Sequence, residues 1–194
     1  RKSKIMRSMS PLQNVHIKGF YGDYENKDVK NLIKVGEVKD LLIFQIVKYK
    51  KSNIKLEDIK IDNLNLSDKP HRVVFSNETR ILWIGPNNWL LTSKNKKLIT
   101  NIYHLFNDKD FAITDLSHSR AIIELEGEDA KEVLKKGCPY NFNELNESKC
   151  VNSIFNGITI TIDMIHDSPK KIRLFSLRSF GESLYHSITD ASLE

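Results

Sequence analysis

A chain of 194 residues, 40% hydrophobic and 28% charged, is long enough for one domain with a real core or two small packed lobes, and too apolar for wholesale disorder. The net charge of +5 and pI near 9.1 come from scattered lysines, with no arginine cluster and no basic helix with interleaved aromatics, which argues against a nucleic-acid partner. No apolar run approaches the roughly 20 residues of a membrane span, no apolar signal region follows the basic residues 1–7, and Cys138 and Cys150 are too few for a disulfide framework or a zinc site; the expectation is a soluble, cytoplasmic protein with two reduced, packed thiols.

In chain order, residues 1–14 read as a flexible arm, carrying Ser10-Pro11-Leu12. Residues 15–39, broken by Gly19, Gly22 and Gly36, support no element. Residues 41–47 are short, apolar and β-branched, a buried strand. Ser52 or Asn53 would cap a short helix reaching about Ile61. After the break at Asp68-Lys69-Pro70 come strands at 72–75 and 80–84, joined by a polar turn. Gly85-Pro86-Asn87-Asn88 turns the chain into a strand over 89–92. Ser93 then caps an amphipathic helix to about Asn107, with Leu98, Ile99, Ile102, Leu105 and Phe106 on one face. A strand begins at Phe111.

Ala121, Ile123 and Leu125 alternate with Ile122, Glu124 and Glu126 as in a strand closed by Gly127. Residues 128–136 have acids in the first turn, lysines in the last and the stripe Ala130, Val133, Leu134, all helix signals. Gly137 is suited to a left-handed helix stop, and Pro139 prevents continuation. Residues 150–155 and 158–165 form a hairpin around Asn156-Gly157. A strand over 171–177 follows. Ser179 and Glu182 read as a capping box for a last helix with a core stripe of Phe180, Leu184 and Ile188. This order predicts an α+β fold of two interleaved half-domains with mostly antiparallel sheets and packed helices. The halves are approximately 40–110 and 111–194, within one domain over 15–194.

The residues that invite chemistry have plain structural readings too. Asp115, Ser117 and His118 are the right types for a triad, but neighbours on a strand point to opposite faces. The six histidines show no metal-ligand spacing, and none of the eight glycines lies in a dinucleotide or phosphate-loop pattern. No catalytic, cofactor-binding or metal residue is therefore expected in this chain. Trp83 and Trp89 flank Gly85-Pro86, where they would fill a core edge or an interface, or stack on a flat ligand. Arg178 can clamp a carboxylate, on a partner or internally at Asp115 or Glu124. Trp83, Trp89, Arg178 and Phe180 make up the expected partner interface.

Several segments, taken together, carry a family resemblance. They are Asp115-Leu116-Ser117-His118-Ser119-Arg120; the run from Gly127 through Lys136-Gly137-Cys138-Pro139; Trp83-Ile84-Gly85-Pro86-Asn87-Asn88-Trp89-Leu90-Leu91; Arg178-Ser179-Phe180; the early Ser10-Pro11-Leu12; and Cys150 before a strand. In that order and spacing they resemble the gamma subunit of heterotetrameric sarcosine oxidase, whose fold is that of the folate-binding aminomethyltransferases. The resemblance covers about residues 70 to 191 well and the first third weakly. It implies the aminomethyltransferase folate-domain-like fold and a non-catalytic subunit packing against the large (alpha) subunit, with beta and delta subunits beside it. It also implies a complex that demethylates sarcosine to glycine and passes the one-carbon unit to tetrahydrofolate, with FAD, FMN, NAD and tetrahydrofolate all on other subunits. Two alternatives stand beside it. One is a free-standing folate-dependent aminomethyltransferase, for which Asp115 or Asp163 would supply a carboxylate. The other is a relative of folate-binding factors for tRNA modification and iron–sulfur assembly, which the basic pI favours slightly; Lys136-Gly137-Cys138 is similar to their cysteine motif, but its place directly after the helix and the following Pro139 fit the oxidase subunit better.

Overall fold

Two antiparallel sheets carry the fold, and each takes strands from both halves of the chain. The structure is a computed structural model that describes residues 9–17, 19–22, 28 and 32–193. Its first strands are β1 (Gly19–Tyr21), β2 (Ile33–Glu37), β3 (Leu42–Lys48), β4 (Lys60–Ile61) and β5 (Leu64–Asn65). β6 (Val73–Phe75), β7 (Thr79–Gly85) and β8 (Asn88–Ser93) lead into the helix α1 (Leu98–Leu105). Then come β9 (Phe111–Asp115), β10 (Arg120–Glu126), α2 (Ala130–Lys135), β11 (Cys150–Phe155), β12 (Ile158–Asp167), β13 (Lys170–Leu177) and α3 (Gly181–Leu193). One sheet runs β1-β2-β10-β13-β12-β11 and the other β6-β7-β8-β3-β9, with β4-β5 a separate small ribbon.

Alternation sorts the side chains into three apolar layers. On β10, Ile123 and Leu125 face α2 and α3, while Ile122 faces the other way. On β3, Phe44 and Ile46 face α1, while Ile43 joins Ile122, Leu82, Leu90 and Phe175 between the sheets. The period of two thus gives each sheet one helix-covered face and one face against its neighbour. The layer between the sheets also holds a buried ion pair. Arg80 on β7 donates from Nε and Nη2 to the two oxygens of Asp163 on β12, each at 2.7 Å. Arg80 Nη2 further reaches the carbonyls of Met164 (2.8 Å) and Glu147 (3.0 Å).

Several expectations need correction. β1 and β2 form in the stretch that showed no element and extend the sheet that contains β10. β9 pairs with β3, so the 111–194 half lends a strand to the sheet built otherwise from β3 and β6 to β8. The chain therefore crosses between sheets twice, after β2 and after β9. The helix expected up to Ile61 is replaced by a 3-10 turn at Leu56–Asp58 and the β4-β5 ribbon. Asp62 and Asn63 take positive φ of 52° and 63° there, while Ile59, Ile61 and Leu66 are drawn into the core under α1. Ser93 ends β8 rather than capping α1: its Oγ lies 2.8 Å from Thr79 Oγ1 and accepts the Asn95 N–H at 3.0 Å. Ile99 and Leu105 on α1 are exposed.

The arm expected over residues 1–14 lies outside the described residues up to Ser8. From Met9 onward it is docked, with Leu12 fully buried in the core under α3. Gly137 is not left-handed. It is needed for closeness, since a Cβ there would stand 2.8 Å from the Phe155 ring and 2.6 Å from Asn156 Oδ1. Ser179 makes no capping box, because it sits inside a 3-10 turn, Arg178–Phe180, that leads into α3. Phe180 is 47% exposed. Gly181, Leu184, Tyr185 and Ile188 form the buried stripe instead, and Gly181 lets the helix press on Ala121, 2.8 Å from where its Cβ would be. The Asn156-Gly157 hairpin forms as read, with φ of 46° and 85° as a type I′ turn requires.

Candidate functional site

The two crossovers run side by side, and the Asp115 to Arg120 stretch is one of them. It is a turn, and its polar groups hold backbone. Asp115 Oδ1 accepts the Ser117 N–H at 2.9 Å. Ser117 Oγ accepts the Ile43 N–H at 3.0 Å, and the Leu116 N–H donates to the Ile43 carbonyl at 2.8 Å. Ser119 then accepts the Arg178 N–H at its carbonyl, 3.0 Å away. The stretch clasps β3 on one side and the end of β13 on the other. A hydroxyl held this way is no activated nucleophile, which would need a base on its own proton.

Between the crossovers, α1 and the docked arm lies a cavity of about 310 Å³, lined among others by Glu37, Asp40, Lys96, Asp115, Arg120 and Arg178. Glu37 ends β2. Its side chain is only 2% exposed, and its Oε1 accepts from Ser10 Oγ. Among the described residues its Oε2 receives no hydrogen bond, although Lys39 Nζ stands 3.5 Å away as an ion pair. Arg120 donates to the Ser119 carbonyl and hydroxyl at 3.3 and 3.2 Å, and burial pulls its guanidinium pKa down. Arg178 donates to the Met9 carbonyl. It is not bound to Glu124, which pairs with Arg173 at 2.8 Å. Glu37 was not legible as a site residue; its burial depends on Ser10 and on the crossover, both remote from it in sequence.

The other candidates fall into place. Trp89 is buried in the core under α1 with its indole N–H on the Ser67 carbonyl at 2.7 Å, so its side chain has no surface to offer a partner. Trp83, its cross-strand partner, is half-buried with its ring tilted against His71 at 5.7 Å. Asp163 is committed to Arg80. Cys138 contacts Ser153 Oγ at 3.1 Å, and Lys136 Nζ donates to the Ala191 carbonyl at 2.8 Å, so the Lys136-Gly137-Cys138 run is built into packing. Cys150 donates to the Trp83 carbonyl; burial, then the charge of Asp163, pushes its pKa up to about 12. A thiol so protected is inert. Among the described residues no three metal-ligating side chains cluster, and no helix is long and apolar enough to cross a membrane.

The family described as "Sarcosine oxidase, gamma subunit family" matches residues 64–194. The sarcosine oxidase subunit gamma of Corynebacterium sp. (strain U-96) is 27% identical over 119 residues, 60% of this chain and 57% of that protein. Its counterpart from Corynebacterium sp. (strain P-1) is 34% identical over 62 residues, 31% of this chain and 30% of that protein. The matched stretch thus spans little more than half of the first relative. Among solved structures, a chain of the heterotetrameric sarcosine oxidase from Corynebacterium sp. U-96 in complex with pyrrole 2-carboxylate superposes with a TM-score of 0.78 at 20% identity, over 95% of this chain and 94% of that one. The glycine cleavage system aminomethyltransferase T from Bartonella henselae gives 0.59 at 13% identity, over 82% of this chain and 46% of that one. Both likenesses are of fold, and they agree with the α+β aminomethyltransferase-like architecture.

Proposed function

We propose a function from one premise: the chain belongs to the sarcosine oxidase, gamma subunit family. It acts as a non-catalytic subunit of a sarcosine oxidase-type complex, packing against the large subunit, with the beta and delta subunits completing the assembly. The complex oxidises the N-methyl group of sarcosine by two electrons, which pass to flavin, leaves glycine, and passes the oxidised one-carbon unit to tetrahydrofolate; FAD, FMN, NAD and tetrahydrofolate sit on the other subunits. This reading places it in the cytoplasm, where unpaired cysteines such as Cys138 and Cys150 stay reduced.

One observation carries the packing role. Leu177 and Phe180, 48% and 47% exposed, flank Arg178 on a turn held between β13 and α3. Large apolar side chains presented next to an arginine on rigid elements are the composition of an interface centre. Trp83, half-buried against His71, lies outside this pair. The free-standing aminomethyltransferase reading is weakened, because Asp163, one of its two candidate carboxylates, is already neutralised by Arg80.

Co-expression with the large subunit tests the proposal. The wild-type chain should co-purify with it in a one-to-one ratio. Phe180→Asp should abolish co-purification while changing the stability of the isolated chain by less than about 1 kcal/mol, as befits a half-exposed position. Unchanged co-purification of Phe180→Asp, or sarcosine-dependent peroxide formation by the isolated chain, would refute it.

A further inference from the structure

We propose that the crossover cavity is a socket for one arginine or lysine side chain of the large subunit, with Glu37 as its floor. This rests on the packing role proposed above. The decisive feature is Glu37 Oε2. A carboxylate oxygen that is shut off from water is costly unless a donor reaches it, and this one receives no hydrogen bond among the described residues. Lys39 does not fill that need. It stands at 3.5 Å on a side chain 57% exposed, and long solvated ion pairs of this kind hold weakly.

The cavity contains other charges, and burial ranks them. Asp40 and Asp115 add negative charge; Lys39, Lys96, Arg120 and Arg178 add positive charge, and His118 also lines the wall. Lys96 is exposed, where water and salt screen it. The guanidiniums of Arg120 and Arg178 already donate to Ser119 and Met9. Glu37, by contrast, acts in a low-dielectric setting where one charge-assisted bond counts most.

The surround suits a protein side chain. Met9 and Ile99 line the cavity and are themselves exposed; Arg178, which also lines it, is followed two residues on by the exposed Phe180. Exposed apolar side chains beside a buried charge can exclude water from a pair formed there, and arginine is the commonest charged anchor of an interface hot spot. A volume of about 310 Å³ lies at the small end for a ligand site and leaves room for one such side chain.

The test titrates the isolated chain against immobilised large subunit and follows thermal unfolding of each variant alone. Glu37→Gln keeps an acceptor for Ser10 but removes the charge. It should weaken binding at least about tenfold, through faster dissociation, with the thermal midpoint unchanged or raised. Lys39→Ala removes the competing cation and should leave binding equal or tighter. Binding by Glu37→Gln within about threefold of wild type, or a Lys39→Ala loss as large as that of Glu37→Gln, overturns the socket while leaving the packing role intact. Absence of wild-type binding overturns the packing role itself, and the socket with it.

Discussion

The Arg80–Asp163 pair offers the sharpest test of how the sheets are held together. It joins β7 to β12 across the layer between the sheets, with Asp163 fully buried and the Arg80 side chain 10% exposed. Arg80→Met leaves Asp163 as an uncompensated charge. Breaking a buried pair from one side costs about 3–5 kcal/mol. For a chain of this size each kcal/mol moves the thermal midpoint by about 2–4 °C, so the midpoint should fall by about 6–20 °C. Asp163→Leu should do similar damage, because it strands a guanidinium whose remaining partners are the Met164 and Glu147 carbonyls and the Phe75 ring, 4.6 Å away. The double variant Arg80→Met with Asp163→Leu removes both charges. Because replacing a buried pair by apolar groups is often neutral, it should regain most of the loss. Urea unfolding of the four proteins closes a double-mutant cycle. A cost below about 1 kcal/mol for either single variant, or additive losses in the double variant, would refute the pairing argument.

Two further outcomes follow from packing and burial. Gly137→Ala should destabilise by about 1–3 kcal/mol in urea unfolding, because the new Cβ meets the ring of the fully buried Phe155 at 2.8 Å; a neutral result would mean that the ring and Asn156 give way and that closeness does not select glycine there. Cys150 holds its proton to about pH 12 in the fold, whereas an unfolded thiol ionises near about 8.5. The stability this contributes is therefore fully present below about pH 8.5 and is lost as pH rises towards the folded value. Cys150 should resist iodoacetamide at pH 9 in the native chain and react in urea, and rapid native labelling would show the burial to be wrong.

Local signals sufficed wherever a short stretch contains its own physical cause. The Asn156-Gly157 turn needs two positive φ angles, and those two residues tolerate them, so the β11-β12 hairpin was legible from two letters. Alternation over Ala121 to Glu126 and the apolar stripe of α2 likewise name their own period. The family resemblance was also legible, since it rests on the order of such segments. The tertiary structure alone decided the rest. β1 and β2 exist because β10 offers an edge to pair with. Leu12 is buried because α3 covers it, and Phe180 is exposed because the 3-10 turn rotates the helix so that Gly181 faces the sheet. Arg80 and Asp163 are 83 residues apart, and nothing near either residue specifies the other. Glu37 is the same case: a carboxylate at the end of a short strand looks solvated until the crossover and Ser10 close over it. Periodicity and turn chemistry act within a few residues, whereas desolvation and pairing depend on what the chain brings back from far away.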